Sequence, residues 1–249
     1  MRETAARKAK TRLPPMTMPD FTDETQLDNP VWSCLTTRHA HLAMGGRLAS
    51  RYPGEFSPLG GIPAAAAENV DALQALVGVG EDLSVAGEYV SELPSSWETQ
   101  LRIRVAQMIR RERAPLPESS AQISVLSSAD VGDMLALVDL THPGPFRDRT
   151  IELGTFLGIR RHGRLLAMAG ERMWVGNYRE VSGICTHPEA QRLGFARALM
   201  SHLINRMLKA GQTPFLHVDS TNERAMALYE ALGFVRRAAF PLVHAKRIR

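Results

Sequence analysis

What this sequence has little of narrows it first. It holds two cysteines, Cys34 and Cys185, far apart and outside any Cys-x-x-Cys or Cys/His spacing, which excludes a disulfide framework, a redox pair and a zinc site as organising features. Cys185 falls inside a predicted strand and reads as a small buried hydrophobe rather than a nucleophile. His39 and His41 stand two apart, a spacing that suits a metal only on a strand, and their segment reads as helix; no metal is assigned. No apolar run approaches the roughly 20 residues that span a bilayer. The basic stretch Met1 to Arg12 has no apolar region after it and does not read as a secretory leader. The chain therefore reads as soluble and cytoplasmic, with no membrane partner. Aromatic residues are only 6%, and neither a stacking platform nor a groove-reading motif accompanies the net charge of +4. The two ends, Met1 to Arg12 and Ala245 to Arg249, hold more positive charge than that total, so the body between them is acidic. Nucleic-acid binding through basic tails accordingly ranks last among the readings.

What is present is ordinary globular composition, 44% hydrophobic and 22% charged over 249 residues, enough for one large domain or two small ones. Residues 1–28 combine prolines and charges without apolar periodicity and read as a flexible basic arm. Asn29-Pro30 looks like a helix start, continuing from Val31 to Leu48. Arg51 to Pro63, rich in Pro and Gly, reads as loop. Glu68 to Val77 is helical, Asp82 to Ala86 a strand, and Trp97 to Arg111 mixed. Ala114-Pro115-Leu116-Pro117 is the candidate boundary, giving an N-terminal part over 29–117 and a second domain over 118–249. After it, strands and helices alternate: strand Gln122 to Leu126, helix Ser128 to Leu140 capped by Ser127 or Ser128, and a hairpin of Phe156 to Arg160 with Leu165 to Arg172. Then follow strand Arg179 to Thr186, loop Pro188 to Gly194, helix Phe195 to Ala210, strand Pro214 to Val218, helix Glu223 to Leu232 and strand Phe234 to Val243. This order predicts an α/β (α+β mixed) sheet with helices on its faces.

The helix after Gly194 is the clearest element. Leu199/Met200, Leu203/Ile204 and Met207/Leu208 recur every four residues, so one stripe faces the sheet, and Gly211 stops it. A strand, a glycine loop and such a helix make an anion site, because the first turn leaves backbone N–H groups unpaired and the helix dipole adds positive charge. In Gln191-Arg192-Leu193-Gly194-Phe195-Ala196, Gly194 and Ala196 leave room for a diphosphate, with N–H groups from Arg192 to Arg197 as donors. The alternative is a glycine that merely turns the chain into a helix.

That Gln-x-x-Gly-x-Ala spacing resembles the acyl-CoA pyrophosphate loop of the GNAT N-acetyltransferase superfamily. Glu180-Val-Ser-Gly-Ile-Cys-Thr-His-Pro188 is similar to the family's fourth strand and Pro214-Phe-Leu-His-Val218 to its fifth. Asn222-Glu-Arg-Ala225 with Leu228-Tyr229-Glu-Ala-Leu-Gly-Phe234 resembles its closing signature. The run from Met168 through Pro188 looks most like the FR47-like branch, and the likeness covers roughly residues 121–243. One departure is Gln191-Arg192-Leu193-Gly194 where many members have Arg-Gly-x-Gly. The binding groups there are main-chain, so the departure is expected to alter affinity rather than the site's identity.

The resemblance implies the GNAT acyl-CoA N-acyltransferase fold, acetyl-CoA as donor cosubstrate, and direct transfer to a primary amine of a small molecule or peptide. Ile184, Cys185 and Thr186 would meet pantetheine, Gln191 to Arg197 the phosphates, and Asn222 the CoA arm. Tyr229 would bind the cofactor and protonate the departing thiolate; otherwise it is a core aromatic. Glu180 is the candidate base, or else a strand-end carboxylate paired with Arg172 or Arg179. Glu171, Glu152 and His217 are lesser candidates, His217 reading better as a strand histidine satisfied by hydrogen bonds. The N-terminal part would be a degenerate GNAT-like half or a helical cap. The rival to an enzyme is a noncatalytic acyl-CoA sensor or interaction module. A homodimer is compatible with the sequence, and neither acceptor nor oligomeric state is encoded in a motif.

Overall fold

Strand-forming segments from both sides of the proline pair enter one sheet. The computed structural model describes residues 23–87 and 94–249. Before the prolines come β1 (Met44–Gly45), β2 (Ser50–Arg51), β3 (Leu59–Gly61), β4 (Asp82–Ala86) and β5 (Trp97–Ile109). After them come β6 (Ser124–Val125), β7 (Phe156–Arg161), β8 (Arg164–Val175), β9 (Tyr178–Thr186), β10 (Thr213–Asp219) and β11 (Val235–Arg247). Their order is β1-β2-β3-β4-β11-β5-β10-β9-β8-β7-β6. Five helices accompany them among the described residues: α1 (Pro30–Leu35), α2 (Ala67–Ala75), α3 (Val131–Thr141), α4 (Phe195–Lys209) and α5 (Glu223–Glu230).

This order joins the two parts that the prolines separate. β5 lies between β10 and β11, antiparallel to both, so the strand preceding the prolines sits inside the sheet built by the residues that follow them. The strands of residues 29–117 therefore belong to the same sheet as those of residues 118–249. The mixed reading of Trp97 to Arg111 arises because β5, after its buried Trp97, is exposed or half-buried through Arg104 and buried over its last five residues, which blurs its alternation. Residues 1–22 of the expected arm lie outside the described residues. Glu24–Asp28, which the arm would include, is a 3-10 turn with Leu27 fully buried.

Two further expectations give way for local reasons. The helix predicted to Leu48 ends at Leu35, where the hydroxyls of Thr36 and Thr37 bond back to the carbonyls of Trp32 and Ser33 and so satisfy groups a further turn would use. The segment Arg51 to Pro63 contains β2 and β3 rather than loop alone. Its Gly61 is there for close approach: a β-carbon would stand 2.9 Å from the backbone nitrogen of Trp32. The hairpin is as predicted, with Arg161 opposite Arg164 across a two-residue turn whose His162 and Gly163 both take positive φ, 51° and 80°, the geometry that matches strand twist.

α4 buries Phe195, Leu199, Met200, Leu203, Ile204 and Met207 against one face of the sheet, meeting Leu157, Ala167, Val181 and Leu216. Each such side chain contributes about 1.5–3 kcal/mol. The opposite face is covered by the N-terminal segment, where Leu27, Val31, Cys34 and Tyr52 pack on Ile109, Met173, Tyr178 and Phe215. No helix among the described residues is long and apolar enough to cross a membrane.

Candidate active site

The site begins where two parallel strands part. β9 and β10 pair only at Tyr178↔Thr213, Arg179↔Pro214 and Glu180↔Phe215; beyond those residues they separate, and a wedge opens between Val181–Thr186 and Leu216–Asp219. A bulge widens the irregularity. Ser182 faces Gly170 and Cys185 faces Met168, so two residues of β9, Gly183 and Ile184, stand against one of β8. Gly183 takes φ +62°, the left-handed conformation such a bulge favours. Main-chain groups at Gly183–Ile184 are thereby released from the ladder beside the wedge. Thr186 at the end of β9 and Ser220 just after β10 each bury a hydroxyl without a partner among the described residues, an arrangement that costs free energy unless a ligand or water completes it.

At the wide end of the wedge the chain forms the predicted loop. After a 3-10 turn at Pro188–Ala190, Arg192 and Gly194 adopt φ +66° and +79°, and Gln191 to Gly194 are exposed. A β-carbon on Gly194 would meet nothing within 4 Å. The glycine is thus required by its backbone angle, and the space above the start of α4 is open to a ligand. Phe195 is buried, Ala196 half-buried and Arg197 exposed, leaving the first-turn N–H groups at the surface. Two cations hold the loop: Arg224 Nη1 donates to Gln191 Oε1 at 2.9 Å, and the Arg161 guanidinium lies 5.0 Å from the Phe195 ring centroid. The exposed Leu193 makes no core contact.

Of the three residues expected along pantetheine, Ile184 and Thr186 are half-buried. Cys185 points into the opposite cluster with Met134, Leu137 and Met168, where burial pushes its thiol up to about 11; only its main chain is available to a ligand. Asn222 caps α5, its Oδ1 accepting from Ala225 N at 3.0 Å, so that oxygen is engaged by the helix. Tyr229 is 7% exposed and stacks edge-on with Phe234 at 6.3 Å. Burial alone raises its phenol to about 12, and the proton is retained throughout the neutral range.

Of the two readings of Glu180, a base or a carboxylate paired with Arg172 or Arg179, the geometry shows the pairing, and with Arg172. Its side chain is buried at the last paired position before the wedge, where Arg172 Nε and Nη2 donate to its two oxygens at 2.9 and 2.8 Å and Met173 N at 3.3 Å. Burial alone would raise the carboxyl, yet the Arg172 guanidinium and His217 outweigh it and hold the group at about 2. A carboxylate so held does not accept a proton near neutrality. His217 is no freer. Its Nδ1 is 2.8 Å from Glu180 Oε1, and its Nε2 is 3.1 Å from the Gln107 amide nitrogen, a donor, which places the imidazole proton on Nδ1. Gln107 is fixed in turn by Leu27 O and Arg237 Nη1. Glu180, His217 and Gln107 therefore staple β9, β10 and β5 at the apex of the wedge. Glu171 is gripped by Arg179 at 2.9 and 3.1 Å, and Glu152 pairs with Arg149; neither borders the wedge. The signal for Gln107 was absent from local sequence, because it comes from a strand outside the matched motifs.

Comparison with known proteins finds acetyltransferases. The FR47-like protein family matches residues 156–240. The [ribosomal protein bS18]-alanine N-acetyltransferase of Escherichia coli K12 is 31% identical over 129 residues, covering 48% of this chain and 86% of that protein. The mycothiol acetyltransferase of Thermomonospora curvata is 38% identical over 89 residues, covering 34% of this chain and 29% of its own. Among solved structures, a GNAT-family acetyltransferase from Novosphingobium aromaticivorans superposes with a TM-score of 0.80 at 32% identity, covering 89% of this chain and 98% of its own. A GCN5-related N-acetyltransferase-like protein from Streptococcus suis shares the fold, with a TM-score of 0.59 at 17% identity over 91% of this chain.

Proposed function

Because this chain belongs to the GNAT acetyltransferase family and resembles its FR47-like branch, we propose that it carries an acetyl group from acetyl-CoA to a primary amine by direct attack in a ternary complex. The observation that carries this reading is the continuity of the wedge with the open turn at Gly194. A strand-like arm fits beside Ile184 and Thr186, and its phosphates fit on the amides that begin α4. The proposed acceptor is an amine of a small molecule or of a peptide; the relatives named above comprise one of each kind.

In the reaction the amine nitrogen bonds to the thioester carbonyl carbon, the carbon–sulfur bond breaks, and the nitrogen's surplus proton ends on sulfur or solvent. Released main-chain N–H groups at the bulge donate to the carbonyl oxygen as it gains charge. Tyr229 lends a hydrogen bond to the departing sulfur. With its phenol near 12 and an ordinary thiol near about 8.5, complete transfer from tyrosine is uphill, so the proton itself comes from the newly acylated amine. Since Glu180 stays ionised and both His217 nitrogens are engaged, the incoming ammonium loses its proton to water at the wedge.

The test is acetyl-CoA consumption across amino acids, aminoglycosides, polyamines and free-amine peptides, preceded by thermal shift with acetyl-CoA. A raised melting temperature and turnover on one acceptor class are expected. Absence of any acetyl-CoA stabilisation overturns the reading.

A further inference from the structure

We propose that Arg147 and Asp82 are positioning residues for the acceptor side of the reaction, an inference that rests on the transferase reading: their ion pair holds residues 142–149 as a strap across the wedge, which limits the bulk of the amine that enters and keeps water from the thioester. These residues, His-Pro-Gly-Pro-Phe-Arg-Asp-Arg, follow α3 on the way to β7. Pro143 and Pro145 lack N–H groups, and His142 and Gly144 take φ 47° and 117°, so no helix or ladder of its own holds the stretch. Its anchors come from other parts of the fold.

The wedge divides the sheet into a β9 side and a β10 side, and the strap touches both. On the β9 side the buried Phe146 packs edge-on against Phe156 at 5.4 Å. Its ring also lies 4.0 Å from the place a β-carbon on Gly183 would take, beside the bulge that releases main-chain groups. On the other side β4 follows β10 through β5 and β11, and its first residue, Asp82, accepts a hydrogen bond from Arg147 Nη2. Asp82 also faces His244 Nε2 at 3.4 Å, whose ring is set by Ser84 Oγ, 2.9 Å from Nδ1. Consecutive residues thus grip the two halves of the sheet, and the grip on the β4 half is charge-assisted.

The far end of the strap is fixed separately. Arg149 N donates to Glu55 O at 3.0 Å, Thr150 Oγ1 donates to Phe56 O at 2.6 Å, and the Arg149 guanidinium lies 4.1 Å from the Phe56 ring centroid. Release of Arg147 therefore loosens the middle of the strap without detaching its end. α4 and the turn at Gly194 occupy one face of the wedge, and the proposed phosphates lie with them, so an amine reaches the thioester from the opposite face. Phe146 stands on that face with Cys185; it is the wall of the approach, and the Arg147–Asp82 pair is its brace. Both members of the pair lie outside the matched residues 156–240.

The experiment uses the full chain with acetyl-CoA and the variants Arg147→Met and Asp82→Asn. Release of free CoA thiol with no amine added measures water at the thioester. It is expected to rise roughly fivefold, the factor that loss of a partly exposed ion pair gives, while the acetyl-CoA Kd by calorimetry stays unchanged. With amines added, kcat/KM for phenylalaninamide relative to glycinamide should increase by a similar factor, and hydrogen exchange over residues 142–149 should quicken. Arg147→Lys should behave as the parent chain, because the contact uses a single guanidinium nitrogen, and the double variant should do no more than either single change. Unaltered thiol release, an effect confined to hydrogen exchange or melting temperature, or Arg147→Lys matching Arg147→Met would each overturn the proposal. Failure of the parent chain to bind acetyl-CoA is a distinct result, which removes the transferase reading and this inference with it. Should Asp82→Asn not fold, Arg147→Met, at a side chain 40% exposed, carries the test.

Discussion

Arg172 holds Glu180 with both arms of its guanidinium, at 2.9 and 2.8 Å, at the last residue of β9 before the wedge. Glu180→Gln leaves that cation buried opposite a neutral amide, a loss on the order of 3 kcal/mol. The expected outcome is a clear fall in denaturant midpoint with the shape of the pH-rate profile retained. If the profile loses a limb while stability holds, Glu180 is the base after all.

The same pair sets a pH dependence. The Glu180 carboxyl titrates near 2 in the fold against 4.5 ordinarily, so its contribution is complete above 4.5 and disappears as pH falls toward 2, on the order of 3 kcal/mol. His39 acts over a higher range. Its burial, with Arg179 nearby, lowers it from 6.5 to about 4, so the unfolded chain takes up a proton first and stability declines as pH drops from 6.5 toward 4. Equilibrium unfolding should therefore show two successive losses on acidification, the upper one absent in His39→Gln.

Turnover, in contrast, should follow the acceptor. With no free base found at the wedge among the described residues, the rate on a peptide α-amine should climb through about pH 8 and shift upward with a more basic acceptor. A limb that stays in place for acceptors of different basicity would point to an enzyme group.

Tyr229→Phe retains the ring against Phe234 and removes only the hydroxyl. We expect kcat to fall roughly tenfold to a hundredfold, with acetyl-CoA affinity unchanged by calorimetry. Equal losses in both would assign Tyr229 to binding instead.

Gly194→Val forces a branched side chain into φ +79° and over the first-turn amides. Left-handed backbone costs about 1–2 kcal/mol outside glycine, and acetyl-CoA stabilisation in thermal shift should largely vanish while α4 stays folded by circular dichroism. Retained stabilisation would place the phosphates elsewhere.

The local elements were legible wherever spacing alone carries the signal. The stripe of α4, the His162-Gly163 turn, β4 and the loop ending at Gly194 each follow from neighbours a few residues apart. Gly183 was a quieter clue: a glycine inside a strand marks a bulge, and its role emerged only from its register with β8. Gly61 misled in the other direction, since a glycine needed for contact with Trp32 looks like a glycine of a loop.

By itself the sequence determined the alternation of strands and helices after the prolines and the placing of Gly194 just before α4, Asn222 at the start of α5 and Tyr229 within it. It also set the family likeness, because these depend on residue type and short-range order. Only the tertiary structure decided that β5 enters the sheet between β10 and β11, and that Arg172 and His217, the latter backed by Gln107, surround the Glu180 carboxylate. Those facts depend on partners from 8 to about 150 residues apart, and burial beside a cation, which no local pattern records, is what fixes a carboxylate's charge.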